Sequence, residues 1–363
     1  MSRVVFFVDL DYFFAQVEVV QNPSLREKPV VVCVFSGRTK DSGVVSSANY
    51  VARSFGVKAG MPIKKARAML PPDSVFLPVR LNYYAEVSRK IMDILRSFGG
   101  VLRVESIDEA VMDVTEIVDG DFEKALTLAS EVKRRIFELT GLTCTVGVGP
   151  NRVVAKMVAD VSKPDGLQVV RPHEVADFLK PLPVKSLPGV GAKTEQVLAD
   201  MRIKTVGELS TLSVEALEKL FGPKKALYLY HACRGTFDEP IVERPPAKQV
   251  SRIITLKRNT REVNYVMDAL AKVLTEAAAK LESMGYTASK LGLIVITSTI
   301  KTVTRQTEIR PGAGLAENLE ALRKMLKELL ESNEKMHVRR VGVRFSGLKK
   351  LSGQSRLNVF MES

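Results

Sequence analysis

The chain has 363 residues, 45% hydrophobic and 26% charged, with 54 lysines and arginines against 41 acidic residues for a net charge of +13. That length suits roughly two to four domains; no apolar run reaches the ~18 residues of a membrane span, and Met1-Ser2-Arg3 leads straight into a strand rather than a secretory signal. Three cysteines (Cys33, Cys144, Cys233) and three scattered histidines (His173, His231, His337) exclude a disulfide framework and a zinc site, leaving a basic protein expected in a reducing cytoplasm with an anionic partner.

The chain opens on a buried strand, Val4-Val5-Phe6-Phe7-Val8, that ends on Asp9-Leu10-Asp11 and passes into a helix by residue 20. Residues 29–35 form a second apolar strand, Gly37 to Gly43 a turn, and Val44 to Ala48 a short strand. Helices follow at Asn49–Phe55 and Pro62–Met69, punctuated by Gly56 and Gly60, and a longer amphipathic one at Tyr83–Phe98. Residues 101–114 alternate like a hairpin around Ser106-Ile107-Asp108-Glu109-Ala110. Then come a helix over Phe122–Thr140, a strand over Thr143–Gly149 and a helix over Asn151–Val161, stopped by Lys163-Pro164-Asp165-Gly166. Short helices fill 171–237, with Leu187-Pro188-Gly189-Val190-Gly191 between two of them and Lys193 and Thr194 opening the second. That turn resembles a helix-hairpin-helix element, whose exposed N–H groups suit a DNA phosphate, although a plain helix-helix turn fits it equally. Pro240, Pro245 and Pro246 make 238–247 a semi-rigid linker. Beyond it the pattern is strand (249–257), helix (262–284), strands (291–299, 302–310), helix (315–332) and strand (338–345), a β-α-β-β-α-β domain.

Carboxylates at the ends of buried strands are costly unless they are paired or bind a metal. Two such places, Asp9/Asp11 and Asp108/Glu109, have one economical explanation: the strands lie side by side and share divalent cations. Oxygen-only ligation suits Mg²⁺, and paired metals serve in-line phosphoryl or nucleotidyl transfer. The basic charge concentrates late in the chain, at Lys248, Arg252, Lys257, Arg258 and Arg261, then Lys301, Arg305 and Arg310, then Arg339, Arg340, Arg344, Lys349 and Lys350. Basic side chains repeated along several strands imply a sheet face laid on phosphates.

Together these segments resemble the Y-family, lesion-bypass DNA polymerases, in their archaeal DNA polymerase IV (DinB-like) branch. The match rests on Phe7-Val8-Asp9-Leu10-Asp11-Tyr12-Phe13-Phe14, Lys28-Pro29-Val30, Ser47-Ala48-Asn49-Tyr50-Val51-Ala52-Arg53, Ser106-Ile107-Asp108-Glu109, Thr145-Val146-Gly147-Val148, Ala155-Lys156, Lys163-Pro164-Asp165-Gly166 and Leu187-Pro188-Gly189. It is close over the first 240 residues or so and looser beyond. The resemblance implies a multidomain α+β right hand: a ferredoxin-like palm (1–20 and 80–170), small fingers (21–79), a helical thumb (171–237), the linker, a little finger (248–350) and a tail (351–363). It implies low-fidelity, template-directed DNA synthesis past damaged bases by a monomer that does not engage membranes.

Residue by residue, it places metal ligation on Asp9, Asp108, Glu109 and the Leu10 carbonyl, with two Mg²⁺ and Mn²⁺ able to stand in. Triphosphate contacts fall on Tyr50, Arg53, Lys163, the Ser47 hydroxyl and the backbone N–H groups of Tyr12 and Phe13. Phe14 matches the ring that excludes a 2′-hydroxyl. Primer-template DNA is expected on Gly189, Gly191 and Lys193 of the thumb and on Arg252, Lys257, Arg258, Arg339, Arg340 and Arg344 of the little finger. Gln354, Leu357, Phe360 and Met361 fit a peptide that docks on a PCNA-type sliding clamp. Val44 and Ser46 stand where alanines are frequent, which bears on which mismatches and lesions fit.

Two rival readings remain open in the sequence. Val8-Asp9-Leu10-Asp11 also resembles the nucleophile strand of haloacid-dehalogenase phosphatases, with Asp9 attacking phosphorus and Asp11 acting as acid and base. The other rival is a catalytically silent DNA-binding relative, against which the full set of carboxylates argues.

Overall fold

The structure is a computed structural model and describes residues 1–243 and 247–351; Pro245 and Pro246 and the proposed clamp-binding residues Gln354, Leu357, Phe360 and Met361 lie outside them. The described residues divide into two compact units, one of residues 1–34 and 44–243, the other of 35–43 and 247–351.

The first unit begins with β1 (Val5–Leu10) and α1 (Phe13–Gln21). The strands β2 (Val30–Phe35), β3 (Gly43–Ala48) and β4 (Val75–Pro78) make a small sheet in the order β3-β2-β4, with α2 (Tyr50–Ser54) and α3 (Ile63–Met69) between the last two in sequence. Asn49 caps α2 by accepting from Ala52 N and also accepts from Val30 N, so one side chain ties the helix to the sheet. Next come α4 (Leu81–Ser97), the hairpin β5 (Val101–Val104) and β6 (Glu109–Asp113), α5 (Phe122–Thr140), β7 (Cys144–Gly149), α6 (Arg152–Ser162) and β8 (Leu167–Val169). Asp121 caps α5 by accepting from Glu123 N and Lys124 N, and Gly141 ends it at φ 70°.

These strands form one sheet in the order β5-β6-β1-β7-β8, antiparallel except at β8. Counting only the first four in chain order, this is the ferredoxin-like arrangement. β1 is therefore central, and both faces are covered. Phe6, Val8 and Leu10 join Ala110, Met112, Val146 and Val148 in the core beneath α1, α4 and α5. Val5, Phe7 and Val111 face Ala155 and Ala159 of α6, with Ile241 packed on the same cluster. Glu239 reaches Arg103 and Arg152, both of which also grip Glu105, so the start of the linker is fastened to this unit by ion pairs.

Sequence periodicity does not anticipate β4 or β8. Both are three or four residues long, too short for alternation to register.

Residues 175–232 hold α7 (Val175–Leu179), α8 (Ala192–Asp200), α9 (Val206–Ser210), α10 (Val214–Phe221) and α11 (Pro223–Ala232). Their core continues into Val153, Val154, Met157 and Val158 of α6.

The second unit runs β9 (Gln249–Thr260), α12 (Val263–Ser283), β10 (Tyr286–Thr297), β11 (Thr302–Glu308), α13 (Leu315–Glu331) and β12 (Val338–Lys350). Its sheet order is β11-β10-β12-β9. The element order matches the five-stranded sheet of the first unit, but here the first strand is an edge. Leu291, Leu293 and Val295 with Val341, Val343 and Phe345 point into the core shared with α12 and α13.

Gly147 is the closest approach of sheet and helix. A Cβ there would stand 2.2 Å from the Ala155 carbonyl oxygen and 2.3 Å from Ala159 N. Gly147→Ala is expected to push α6 off the sheet and cost roughly 3 kcal/mol or more, the upper range of overpacking. A thermal melt within 2 °C or so of wild type would contradict that close approach.

Candidate active site

Strand register decides what faces what. Asp9 is the Cα partner of Glu109 on one side and of Thr145 on the other. Leu10 N donates to the Asp108 carbonyl at 2.9 Å, which closes the ladder just above. All three carboxylates line one cleft with Leu10, Tyr12, Phe13, Phe14, Ser47, Tyr50, Arg53 and Lys163. Every residue assigned above to metal, nucleotide or sugar contact thus meets in one place, although more than 150 positions separate the first from the last.

The acids are held by cations. Lys163 Nζ lies 2.6 Å from Asp9 Oδ2 and 3.0 Å from Asp160 Oδ1. Lys156 Nζ lies 2.6 Å from Glu109 Oε1 and 4.3 Å from the centre of the Phe7 ring. Ser106 Oγ accepts from Glu109 N at 3.0 Å and donates to Asp108 Oδ1, so the turn itself orients that carboxylate. Among the described residues no three acidic, histidine or cysteine side chains already converge on one point as a metal cage. The donor chemistry nonetheless fits a hard divalent cation: three carboxylates and a backbone carbonyl on adjoining strand ends, with ammonium groups at two of them.

Burial raises the Asp9 carboxyl from 3.8 to about 7, against the pull of Lys163 and helped by Glu109 and Asp108. Burial also acts on Lys163, but Asp9 and Asp160 outweigh it and raise its pKa. Tyr50 is raised by burial, so its hydroxyl stays a donor at neutral pH.

Asp11 has a different task. Its carboxylate accepts from Thr143 Oγ1 (2.8 Å), Thr145 Oγ1 (2.9 Å) and Asp165 N (2.9 Å), and it is 1% exposed. An acid so enclosed cannot serve as the acid and base of a phosphatase; it ties the turn carrying Lys163 to the sheet. Ser47 also departs from expectation. Its one hydroxyl hydrogen donates to the Tyr12 carbonyl at 3.1 Å, so the residue braces the left-handed turn at Tyr12 (φ 37°). Arg53 Nε donates to the Ala48 carbonyl at 2.8 Å and its guanidinium sits 5.0 Å from the Tyr50 ring.

In the thumb, Gly189 takes φ +85° with Tyr228 packed on it, and Gly191 caps α8 through bonds from Thr194 N and Glu195 N to its carbonyl. On the second unit, Arg340 and Arg344 stand opposite Thr255 and Ser251, on the face away from the core. Arg344 also lies beside Gly292, and its Nε is buried with no hydrogen-bond partner among the described residues. Arg252 lies opposite Val343, and Arg258 pairs with Glu262 and packs over Tyr265, so these two belong to the helix-bearing face rather than to the open one. Arg339 falls at the bulge between Val338 and Arg340, where β9 carries Lys257. No described helix is long and apolar enough to cross a membrane.

A carboxylate-edged antiparallel sheet facing a tyrosine, an arginine and a lysine has the groups that metal-assisted nucleotidyl transfer uses. Comparison with known proteins gives the family. The impB/mucB/samB family matches residues 8–160, its C-terminal domain matches 247–358, and a thumb domain described for DNA polymerase-iota matches 185–236. DNA polymerase IV of Metallosphaera sedula is 42% identical over 96% of this chain and 98% of its own, and that of Nitrosopumilus maritimus 39% identical over 97% and 98%. A solved Y-family DNA polymerase chimera of Dbh and Dpo4 superposes with TM-score 0.89 at 39% identity, covering 95% of this chain and 99% of that one. The insertion ternary complex of Dbh DNA polymerase gives TM-score 0.68 at 39% identity over 96% and 100%. The chain belongs to the Y family of DNA polymerases, in its DinB-like branch.

Lys156 had no assigned role in sequence, although a lone charge within Val153-Val154-Ala155-Lys156-Met157-Val158 was the available signal. Thr143 carried none, and Thr145 stood only as the start of a matching strand.

The raised Asp9 carboxyl has a stability cost with a definite sign. Between 3.8 and about 7 the folded chain holds a proton that the unfolded chain has released, so stability falls as pH rises through this window. In EDTA at pH 8, Asp9→Asn is expected to melt above wild type by roughly 1–3 kcal/mol of stability, the gap closing towards pH 4. Equal melting at pH 8 would contradict the cost.

Proposed function

We propose that this chain copies DNA past damaged bases at low fidelity, adding deoxynucleotides to a primer 3′-hydroxyl with two Mg²⁺ held by Asp9, Asp108, Glu109 and the Leu10 carbonyl. The observation that carries the reading is the register pairing Asp9 with Glu109 below Tyr50, Arg53 and Lys163. When bound, such metals lower the pKa of the attacking hydroxyl and neutralise the triphosphate. The chain's own residues do the rest. Lys163 and Arg53 supply positive charge to phosphate oxygens, and Tyr50 donates a hydroxyl hydrogen. Tyr12 and Phe13, at the start of α1, line the same cleft, where their N–H groups would meet phosphate oxygens. Phe14 walls the sugar. Lys156 gives Glu109 a counter-charge until a metal arrives.

Residues 1–20 and 80–170 act as palm, 21–79 as fingers, 171–237 as thumb and 248–350 as little finger. The thumb turn at Gly189–Gly191 with Lys193, and the open little-finger face with Arg340 and Arg344, grip the duplex backbone, which positions DNA without reading sequence. Primer-template DNA and nucleotide are partners consistent with the ternary complexes solved for Dbh; the tail adds a sliding clamp.

Asp108→Ala should lower primer extension by roughly 10²–10³-fold or more, the scale of removing one electrostatic interaction with the transition state, while DNA binding persists. Full extension would remove Asp108 from the site. Replacing Arg340 and Arg344 by alanine should flatten log K against log[salt] by about one unit for each phosphate that is no longer neutralised. An unchanged slope would take both off the DNA footprint.

A further inference from the structure

We propose that Tyr84, anchored by Glu18 and Arg80, is the positioning residue that sets sugar selectivity by fixing the Phe14 ring. The inference deepens the reading of Phe14 as the sugar wall and rests on it.

Two helices supply the parts as two pairs spaced four residues apart, Phe14 and Glu18 on α1, and Arg80 and Tyr84 at the start of α4. That spacing puts each pair on one helix face. The Phe14 and Tyr84 rings are stacked, with centroids 4.4 Å apart and planes 17° from parallel. The Arg80 guanidinium forks onto Glu18, at 2.8 Å to Oε1 and 2.6 Å to Oε2. Tyr84 Oη donates to Glu18 Oε1 and closes the square.

Tyr84 is fully buried and Glu18 is 7% exposed, whereas Phe14 is only half-buried because its other side borders the nucleotide cleft. A buried carboxylate with a forked arginine and a phenol is a costly way to fill space, since an apolar cluster would pack as well. What it adds is direction. Arg80 fixes Glu18 by two bonds, and Glu18 Oε1 accepts the one bond from the Tyr84 hydroxyl, which restrains the ring, and the stacked Phe14 ring inherits that plane. A wall that excludes one hydroxyl group must not yield by a fraction of an ångström, and this square resists such movement. Phe13 meets Tyr84 only edge-on at 6.4 Å, so the stacked contact belongs to Phe14.

The test is single-nucleotide insertion, read as the ratio of kcat/KM for a deoxynucleotide to that for its ribonucleotide. A merely structural loss of active enzyme scales both and leaves the ratio unchanged. Tyr84→Leu, which keeps apolar bulk but loses the flat platform, should lower the ratio about tenfold, the upper range of what an aromatic stack is worth. Tyr84→Phe, which keeps the ring without its anchor, should recover only part of that, and a wild-type ratio in Tyr84→Phe would overturn the role of the anchor. Phe14→Ala runs alongside. If Phe14→Ala loses selectivity and Tyr84→Leu keeps the wild-type ratio, the platform is overturned and the wall stands. If neither changes the ratio, both fall. Should Tyr84→Leu not fold, Glu18→Gln decides: a lowered ratio supports the anchored platform and a wild-type ratio overturns it.

Discussion

The register of β1 between β6 and β7 is the constraint on which the site depends. It sets Asp9 beside Glu109 and Thr145, and it leaves Asp11 at the strand exit to be gripped by Thr143 and Thr145. A slip of one residue would turn every β1 side chain over, carrying Asp9 onto the core face that Phe6 and Val8 now occupy and sending those two under α6 in place of Val5 and Phe7. Both faces of β1 are apolar below Asp9, so hydrophobic alternation alone does not choose the register. The small residues beneath α6 and the cost of burying a carboxylate choose it. The same burial raises the Asp9 carboxyl towards neutrality and draws Lys163 onto it. Lys163 and Lys156 hold the Asp9 and Glu109 carboxylates by ion pairs.

One order of elements, β-α-β-β-α-β, is used twice with different sheets. In the first unit the first strand is central, which lets the carboxylate at its end meet the hairpin that carries Asp108 and Glu109. In the second unit the first strand is an edge and the last is central. Both helices there pack on one face, and the long strands β10 and β12 present Arg344 and Arg340 on the other. Which strand is central determines whether the unit makes a cleft or a broad platform.

Much of this was legible in the chain. Apolar runs, turn residues and caps locate the long helices within a few residues, as at Phe122–Thr140 between Asp121 and Gly141. The strand-end acids named the site because burying them needs a reason. What stayed hidden depends on packing partners. The C-terminal arginines read as one set, yet alternation sends Arg252, and Arg258 beyond the bulge, to the opposite face from Arg340 and Arg344. Ser47 reads as a phosphate donor, but the turn at Tyr12 claims its hydrogen. Glu18, Arg80 and Tyr84 lie more than sixty positions apart across the two helices, and no spacing rule joins them. Asp11 looks like its neighbour Asp9, and only the threonines of β7 show that it is structural.

The central claim is that the β1–β6 register creates a shared metal site. Mn²⁺ binding followed by electron paramagnetic resonance, on the complex with primer-template DNA and a non-hydrolysable deoxynucleotide, tests it most directly. Two Mn²⁺ per chain are expected, with fewer in Glu109→Gln. Wild-type and variant complexes that bind only what the free nucleotide and DNA bind would contradict the account.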